Sequence, residues 1–243
     1  MEVEIIYADD YLLVVNKPAG LLSIPDRFHP EKPNLSHLLG KYSERLYTVH
    51  RLDKETSGII CFAKDAKTHA ALSQLFQDRQ VSKKYLALVS GSNLDAEGTI
   101  TGELSPDPQF PGRMQVSKKG KKSITNYRVL ERFRDSCYTE IEILTGRMHQ
   151  IRAHFKSIGF PLYIDKIYGT RESIFISDIK QRKLVRFEQD ERPPVPLMSR
   201  TSLHAWKLGF VHPFKGEYIE FEAILPKDFR ATLQQLRKWC SLS

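Results

Sequence analysis

The sequence predicts an α+β protein, and three observations lead there. Strand-like and helix-like segments are mixed along the chain without the regular βαβα alternation of a doubly wound sheet. The apolar runs are short and are broken by Gly, Pro, Asn and Asp. At 243 residues with 41% hydrophobic content, the chain can bury a substantial core as a single domain spanning 1–243.

Taken in order, Val3–Tyr7 and Tyr11–Asn16 read as strands, the second stopped by Pro18 and Gly20. A loop with Pro25, Pro30 and Pro33 leads to a short helix from about Leu35 to Tyr42, with Asn34 as its N-cap. Gly58–Ala63 is a buried strand. Asp65 caps a helix over Ala66–Gln77, whose stripe of Ala71, Leu72, Leu75 and Phe76 suits packing on a sheet. Lys83–Val89 is a strand, and Gly91–Gly120 reads as loop-rich, with Pro106, Pro108 and Pro111.

Ile124–Phe133 and Cys137–Leu144 read as strands joined by the polar turn Arg134-Asp135-Ser136. Arg147 to about Ile158 has helical spacing through Met148, Ile151, Phe155 and Ile158, with Gly159 as terminator. Arg171–Pro196 is charged and ends in Pro193-Pro194-Val195-Pro196, which reads as a peripheral insertion because strand patterns resume after it. Those patterns are Trp206–Val211 and Tyr218–Ile224, the latter with Ile219, Phe221 and Ala223 on one face. Asp228 caps a last helix buried through Phe229, Leu233 and Leu236.

A net charge of +8 and a pI near 9.3 favour polyanionic partners, nucleic acid above all. Acidic residues stand where a signal peptide would carry basic ones, and runs such as Leu12–Val15 are too short to span a bilayer. Cys61, Cys137 and Cys240 form neither a CxxC pair nor a disulfide framework, so a reducing, cytoplasmic setting is expected. No metal is expected, since the histidines show no ligand spacing. No P-loop or GxGxxG points to a nucleotide cofactor, so none is expected. Nothing in the sequence calls for membrane attachment or an obligate protein partner.

The most informative run is His50-Arg51-Leu52-Asp53-Lys54-Glu55-Thr56-Ser57-Gly58, followed by apolar Ile59–Ala63. A turn of small polar residues feeding a buried strand can hold a carboxylate at a cleft edge, although a turn aspartate ordinarily caps backbone. The run resembles the signature of the RluA-like pseudouridine synthases: His-Arg-Leu-Asp, two variable residues, then Thr-Ser-Gly. The resemblance implies that family's catalytic fold, a mixed, mostly antiparallel central sheet flanked by helices and loops. It also implies that Asp53 is the catalytic aspartate.

Thr145-Gly146-Arg147-Met148-His149-Gln150-Ile151-Arg152-Ala153-His154 is similar to the family's Gly-Arg-Thr-His-Gln-Ile-Arg segment, with Met148 in place of Thr. Read physically, His149, Arg152 and Lys156 share a polar helix face, while Met148 falls on the apolar stripe. The resemblance makes Arg152 the partner of Asp53, a guanidinium that keeps the carboxylate ionised as the site closes over a base.

Lys83–Val89 resembles the family's Lys-x-Tyr-x-Ala-x-Val strand, which makes Tyr85 the tyrosine that stacks on the target uracil and helps remove its C5 proton. The same resemblance implies substrate contacts from His50, Arg51, Thr56, Ser57, Arg147, His149 and Gln150. Weaker matches are Lys17-Pro18-Ala19-Gly20, Lys121–Tyr127, Asp165 with Tyr168-Gly169, and Leu203-His204-Ala205. An N-terminal S4-type domain, carried by many relatives, is not expected because the catalytic strands start almost at Met1.

The expected activity is conversion of uridine to pseudouridine in tRNA or rRNA, on a base flipped out of its stack. The alternative is a non-catalytic RNA-binding or RNA-folding protein on the same scaffold. A glycosidic hydrolase is disfavoured because its usual second catalytic carboxylate has only Glu55 as a sequence neighbour to offer. Lys118-Lys119-Gly120-Lys121-Lys122 adds a candidate phosphate contact. RNA affinity should therefore fall steeply as salt is raised, through counterion release; filter binding across a salt series checks this, and a flat response contradicts a basic RNA-binding surface.

Overall fold

The computed structural model describes residues 3–42, 45–180 and 194–242. The fold is α+β, a mixed and mostly antiparallel sheet with a few helices. Its contacts divide the chain into two compact units. The first is Met1–Tyr85, Glu142–Thr145 and His204–Ile224; the second is Leu86–Ile141, Gly146–Leu203 and Leu225–Ser243.

In the first unit, β1 (Glu4–Ala8) and β2 (Leu12–Lys17) form an antiparallel hairpin. β2 then pairs antiparallel with β4 (Ser57–Ala63), from Leu12 opposite Ala63 to Lys17 opposite Gly58. The short β3 (Tyr47–Thr48) also pairs with β4. On its other side β4 runs parallel to β10 (Leu203–Val211), His204 opposite Ser57 and Ala205 opposite Gly58, and β10 pairs antiparallel with β11 (Tyr218–Glu222).

Every residue of β4 is buried. Ile59, Cys61 and Ala63 pack with Leu72, Leu208, Phe210 and Phe221 on one face; Ile60 and Phe62 pack with Leu21, Leu35 and Leu39 on the other. Two-sided burial is why β2 and β4 read as continuous apolar runs rather than as alternating ones. α1 (Leu35–Leu38) supplies the second face and is capped by Asn34, whose side chain accepts from the His37 amide; a 3₁₀ turn at Gly40–Tyr42 completes the predicted helical segment. α2 (Ala66–Gln77) has the predicted bounds, and Asp65 accepts from the Thr68 amide at its start.

The second unit takes in the part of β5 (Ser82–Ser90) beyond Tyr85 and continues through β9 (Ser136–Ile143), β8 (Lys121–Phe133), β6 (Glu97–Pro106) and β7 (Met114–Val116). The segment 91–120, expected to be loop-rich, therefore holds two strands. β6 buries Ile100 and Leu104 but otherwise carries Thr, Gly, Glu, Ser and a final Pro106, too few apolar residues in alternation to announce a strand. Its backbone pairing with β8, from Glu97 opposite Arg128 to Leu104 opposite Lys121, makes it one.

α3 (Gln150–Ser157) packs on β6, β7 and β8 and ends before Gly159, whose φ is +84°. α3 starts three residues later than its periodicity suggests. Met148 is 39% exposed rather than on the buried stripe.

Within the predicted insertion, residues 181–193 lie outside the described residues. The described part is not wholly peripheral: Ile174 and Ile179 are buried, the latter on α4 (Ile176–Lys180), which packs on α5 (Lys227–Cys240). α5 buries Phe229, Leu233 and Leu236 as predicted, but Pro226 is its N-cap and no side chain caps it. Asp228 lies inside the helix as its second residue, where it accepts the Phe229 amide (2.7 Å) and is gripped by the buried Arg200 at 2.6 and 3.0 Å.

Asp9 ties the β1–β2 turn to the loop between β10 and β11. One carboxylate oxygen accepts the amides of Tyr11 (2.9 Å) and Leu12 (2.7 Å). The other accepts from the Tyr7 hydroxyl (2.8 Å), Lys215 (2.7 Å) and His212 Nε2 (3.2 Å). His212 Nδ1 accepts two amides, from Phe214 and Lys215, so its proton sits on Nε2, facing Asp9.

Partial burial opposes ionisation of Asp9, but Lys215, the two amides and the Tyr7 hydroxyl outweigh it and hold the carboxyl well below the usual range. Its contribution to stability is therefore complete above the ordinary value of 3.8 and is lost as the pH falls toward the depressed folded value. Asp9→Ala should cost about 2–3 kcal/mol at neutral pH and flatten the acid limb of stability, measured by urea unfolding at stepped pH.

Candidate active site

In the first unit, Asp53 sits half-buried in the turn that leads into β4, and its carbonyl accepts from the Thr56 amide at 3.1 Å. Several segments of the chain fix this turn. Ser23 Oγ donates to the Leu52 carbonyl (2.8 Å) and accepts from the Leu52 amide (3.1 Å). The Lys54 carbonyl accepts from the Gly20 amide (2.9 Å) and from Lys17 Nζ (3.1 Å). Lys17 is fully buried, and its ammonium also donates to the carbonyls of Pro18 (3.0 Å) and Leu21 (2.7 Å).

On the far side of the turn, Ser57 Oγ lies 2.9 Å from His204 Nδ1, and His204 Nε2 lies 3.1 Å from the Ala223 carbonyl. Gly58 has a φ of +117°, and a Cβ there would lie 2.1 Å from the Ala205 carbonyl oxygen. Left-handed backbone and close approach to β10 together require glycine after Ser57.

His50 Nε2 accepts from the Cys61 amide at 3.0 Å, and its ring stacks on Phe76 with centroids 4.9 Å apart. Burial, helped by the charge of Lys83, pushes its pKa down to about 3, so the ring is neutral at physiological pH. Its Nε2 is thus taken up by β4 and its ring face by Phe76. Arg51 is exposed. Tyr85 is half-buried, and burial together with the nearby charge of Asp53 pushes its hydroxyl pKa up, so it is a neutral phenol. Thr56 is buried, and its hydroxyl has no hydrogen-bond partner among the described residues.

In the second unit, the segment 146–154 forms a tight entry into α3. His149 is its N-cap in a left-handed conformation (φ 52°, ψ 22°), uncommon for a residue with a Cβ. It therefore does not share a helix face with Arg152 and Lys156, as spacing had suggested. The half-buried His149 ring meets the Tyr168 hydroxyl through Nδ1 (3.0 Å), and that hydroxyl accepts from the Met114 amide (2.7 Å). Gln150 is buried: its Oε1 accepts from the Arg147 amide, and its Nε2 donates to the Ile124 carbonyl and to Thr125 Oγ1. Arg147 itself is exposed.

Arg152 is buried as well. Asp165 grips its guanidinium bidentately, Nε at 2.7 Å and Nη2 at 2.9 Å, and the Tyr168 ring lies 5.1 Å away. Asp165 also accepts the amides of Ile167 and Tyr168. Burial works against its ionisation, but Arg152 and those amides keep its pKa low.

The expected site residues thus form two groups. His50, Arg51, Asp53, Thr56, Ser57 and Tyr85 belong to the first unit; Arg147, His149, Gln150 and Arg152 belong to the second. Sequence reasoning assigned no role to Lys17, Ser23, Asp165 or Tyr168. For Lys17 a local signal exists: a lysine that ends an apolar strand just before Pro-Ala-Gly. Among the described residues no cluster of His, Cys, Asp and Glu has metal-binding geometry, and no helix is long and apolar enough to cross a membrane.

Removing Asp165 should leave the buried Arg152 charge short of its fork. Asp165→Ala is expected to cost about 3–5 kcal/mol by denaturant unfolding. Lys156→Ala, at an exposed position of the same helix, should stay within about 0.5 kcal/mol of the parent.

A family model described as RNA pseudouridylate synthase matches residues 11–157. A Bacillus subtilis protein named as an uncharacterized RNA pseudouridine synthase, YlyB, is 36% identical over 246 residues, 98% of this chain and 74% of that protein. Ribosomal large subunit pseudouridine synthase D of Pseudomonas aeruginosa is 37% identical over 243 residues, 98% of this chain and 73% of that one. Among solved structures, human RNA pseudouridylate synthase domain containing 4 superposes with a TM-score of 0.71 at 25% identity, over 96% of this chain and 93% of the human one.

Proposed function

The chain belongs to the RluA-like RNA pseudouridine synthases, isomerases that act on RNA, and we propose that within this chemistry Asp53 is its catalyst. The observation that carries the proposal is the Asp53 turn, fixed from both sides by buried side chains and placed where its charge acts on the Tyr85 hydroxyl. A carboxylate held this way is preorganised for work at a sugar carbon.

The target uridine is flipped from its stack. Asp53 then either attacks C1′ or takes the C2′ proton to form a glycal, and both paths break the bond from C1′ to N1. The freed uracil turns and C5 bonds to C1′, displacing the Asp53 carboxylate from C1′ on the first path or with Asp53 returning its proton to C2′ on the second. The C5 proton leaves and N1, which carries none in uridine, gains one, so the base is isomerised with no redox change. Tyr85 stacks on the uracil, an interaction worth about 1–3 kcal/mol. Tyr85 or a nearby water completes the loss of the C5 proton.

Arg152 is the arginine that the family resemblance pairs with a catalytic aspartate. Asp165 and Tyr168 fix the orientation of its guanidinium. Arg51 and Arg147, both exposed, are suited to phosphate; His149 and Thr56 complete the set of candidate contacts. For the RNA, large-subunit ribosomal RNA comes first, because the relatives named above include an enzyme named for it; transfer RNA is second.

A transcriptome-wide pseudouridine map of cells lacking the gene, complemented with wild type or Asp53→Asn, tests the proposal. One or more sites should vanish on deletion and return only with wild type. Restoration by Asp53→Asn would remove Asp53 as catalyst and favour the RNA-folding alternative.

A further inference from the structure

We propose that His204 is a positioning residue for the Asp53 turn, acting through the hydroxyl of Ser57. The inference rests on Asp53 being the catalyst.

Both ring nitrogens of His204 have partners. The Ala223 carbonyl, 3.1 Å from Nε2, can only accept, so Nε2 carries the proton. Nδ1 is then an acceptor, and Ser57 Oγ, 2.9 Å away, donates to it. His204 is 0% and Ser57 1% exposed, so water does not compete for either bond. Ala223 is itself fixed, because its amide donates to the Trp206 carbonyl at 2.9 Å. A rigid line thus runs from the β10–β11 hairpin through the imidazole to the first residue of β4.

Ser57 follows directly on the turn closed by the Thr56 amide and the Asp53 carbonyl. The opposite flank is held by Ser23 and Lys17. Ser57 and His204 are therefore the side-chain brace on the strand side of the turn, and the buried Ser57 hydroxyl is committed to that brace rather than offered to RNA. Loss of the brace lets the carboxylate wander. A displacement of about 1 Å can cost roughly a hundredfold in rate while leaving binding of the remainder of a large RNA in place.

Two near-isosteres separate this role from mere packing. In His204→Asn the amide oxygen stands where Nδ1 was and keeps the bond from Ser57. In His204→Gln the amide nitrogen stands where Nε2 was and keeps the bond to Ala223, but only a methylene faces Ser57.

The substrate for the test is total RNA from cells lacking the gene, labelled with tritium at uridine C5; tritium release under single-turnover conditions gives the rate. His204→Gln and Ser57→Ala should each slow release roughly tenfold to a hundredfold, with the half-saturating RNA concentration within about twofold of wild type. His204→Asn should stay within about threefold of wild type, and the Ser57→Ala/His204→Gln pair should be no slower than either change alone.

Melting temperatures are recorded for every variant. The proposal is overturned if Gln is as fast as Asn, if Asn is as slow as Gln, or if the double variant shows the product of the single losses. Asp53→Asn runs in parallel. Tritium release by that variant would dismiss Asp53 as catalyst, an outcome distinct from any pattern of the His204 variants.

Discussion

A lysine ammonium buried without solvent holds the functional end of the first unit together. Lys17 ends β2 and sends its Nζ to the carbonyls of Pro18, Leu21 and Lys54. A charge removed from water costs several kcal/mol unless its hydrogens are met, and carbonyl dipoles from separate stretches of chain meet them here. These three bonds form together only when the turn after β2 and the turn carrying Asp53 both come to the ammonium. Correct folding of one loop is thereby a condition for correct folding of the other.

That constraint works because β4 is buried along its whole length. With both faces packed, β4 is the fixed rail onto which the turn is bolted. Gly58 lets β10 approach it in parallel, and His50 meets the amide of Cys61 from the side. Burial also sets protonation around the turn: the imidazole of His50 stays neutral and the hydroxyl of Tyr85 stays protonated.

In the second unit, a different device serves Arg152. The guanidinium is held by the carboxylate of Asp165, which is itself oriented by two backbone amides, and an aromatic ring lies over it. Such fork-to-fork pairing fixes a plane and not just a distance, which lysine could not do. Beside it, His149 accepts a left-handed backbone conformation at the mouth of α3. Strain of this sort persists where surrounding contacts over-determine it, as the Tyr168 hydroxyl and the Gln150 network do here.

The sequence by itself determined the features that depend on near neighbours. The caps Asn34 and Asp65 act over three residues, the apolar runs of β2 and β4 report their own burial, and α2 follows from its stripe. The motifs around Asp53 and Arg152 pointed to the family because their order along the chain is itself the signal. Tertiary structure decided which distant groups meet. β6 is a strand because β8 pairs with it; Asp228 meets Arg200 from 28 positions away; Ser57 finds His204 across 147 positions. In each case several partners are chemically acceptable, and only the packed chain brings one of them within hydrogen-bond reach.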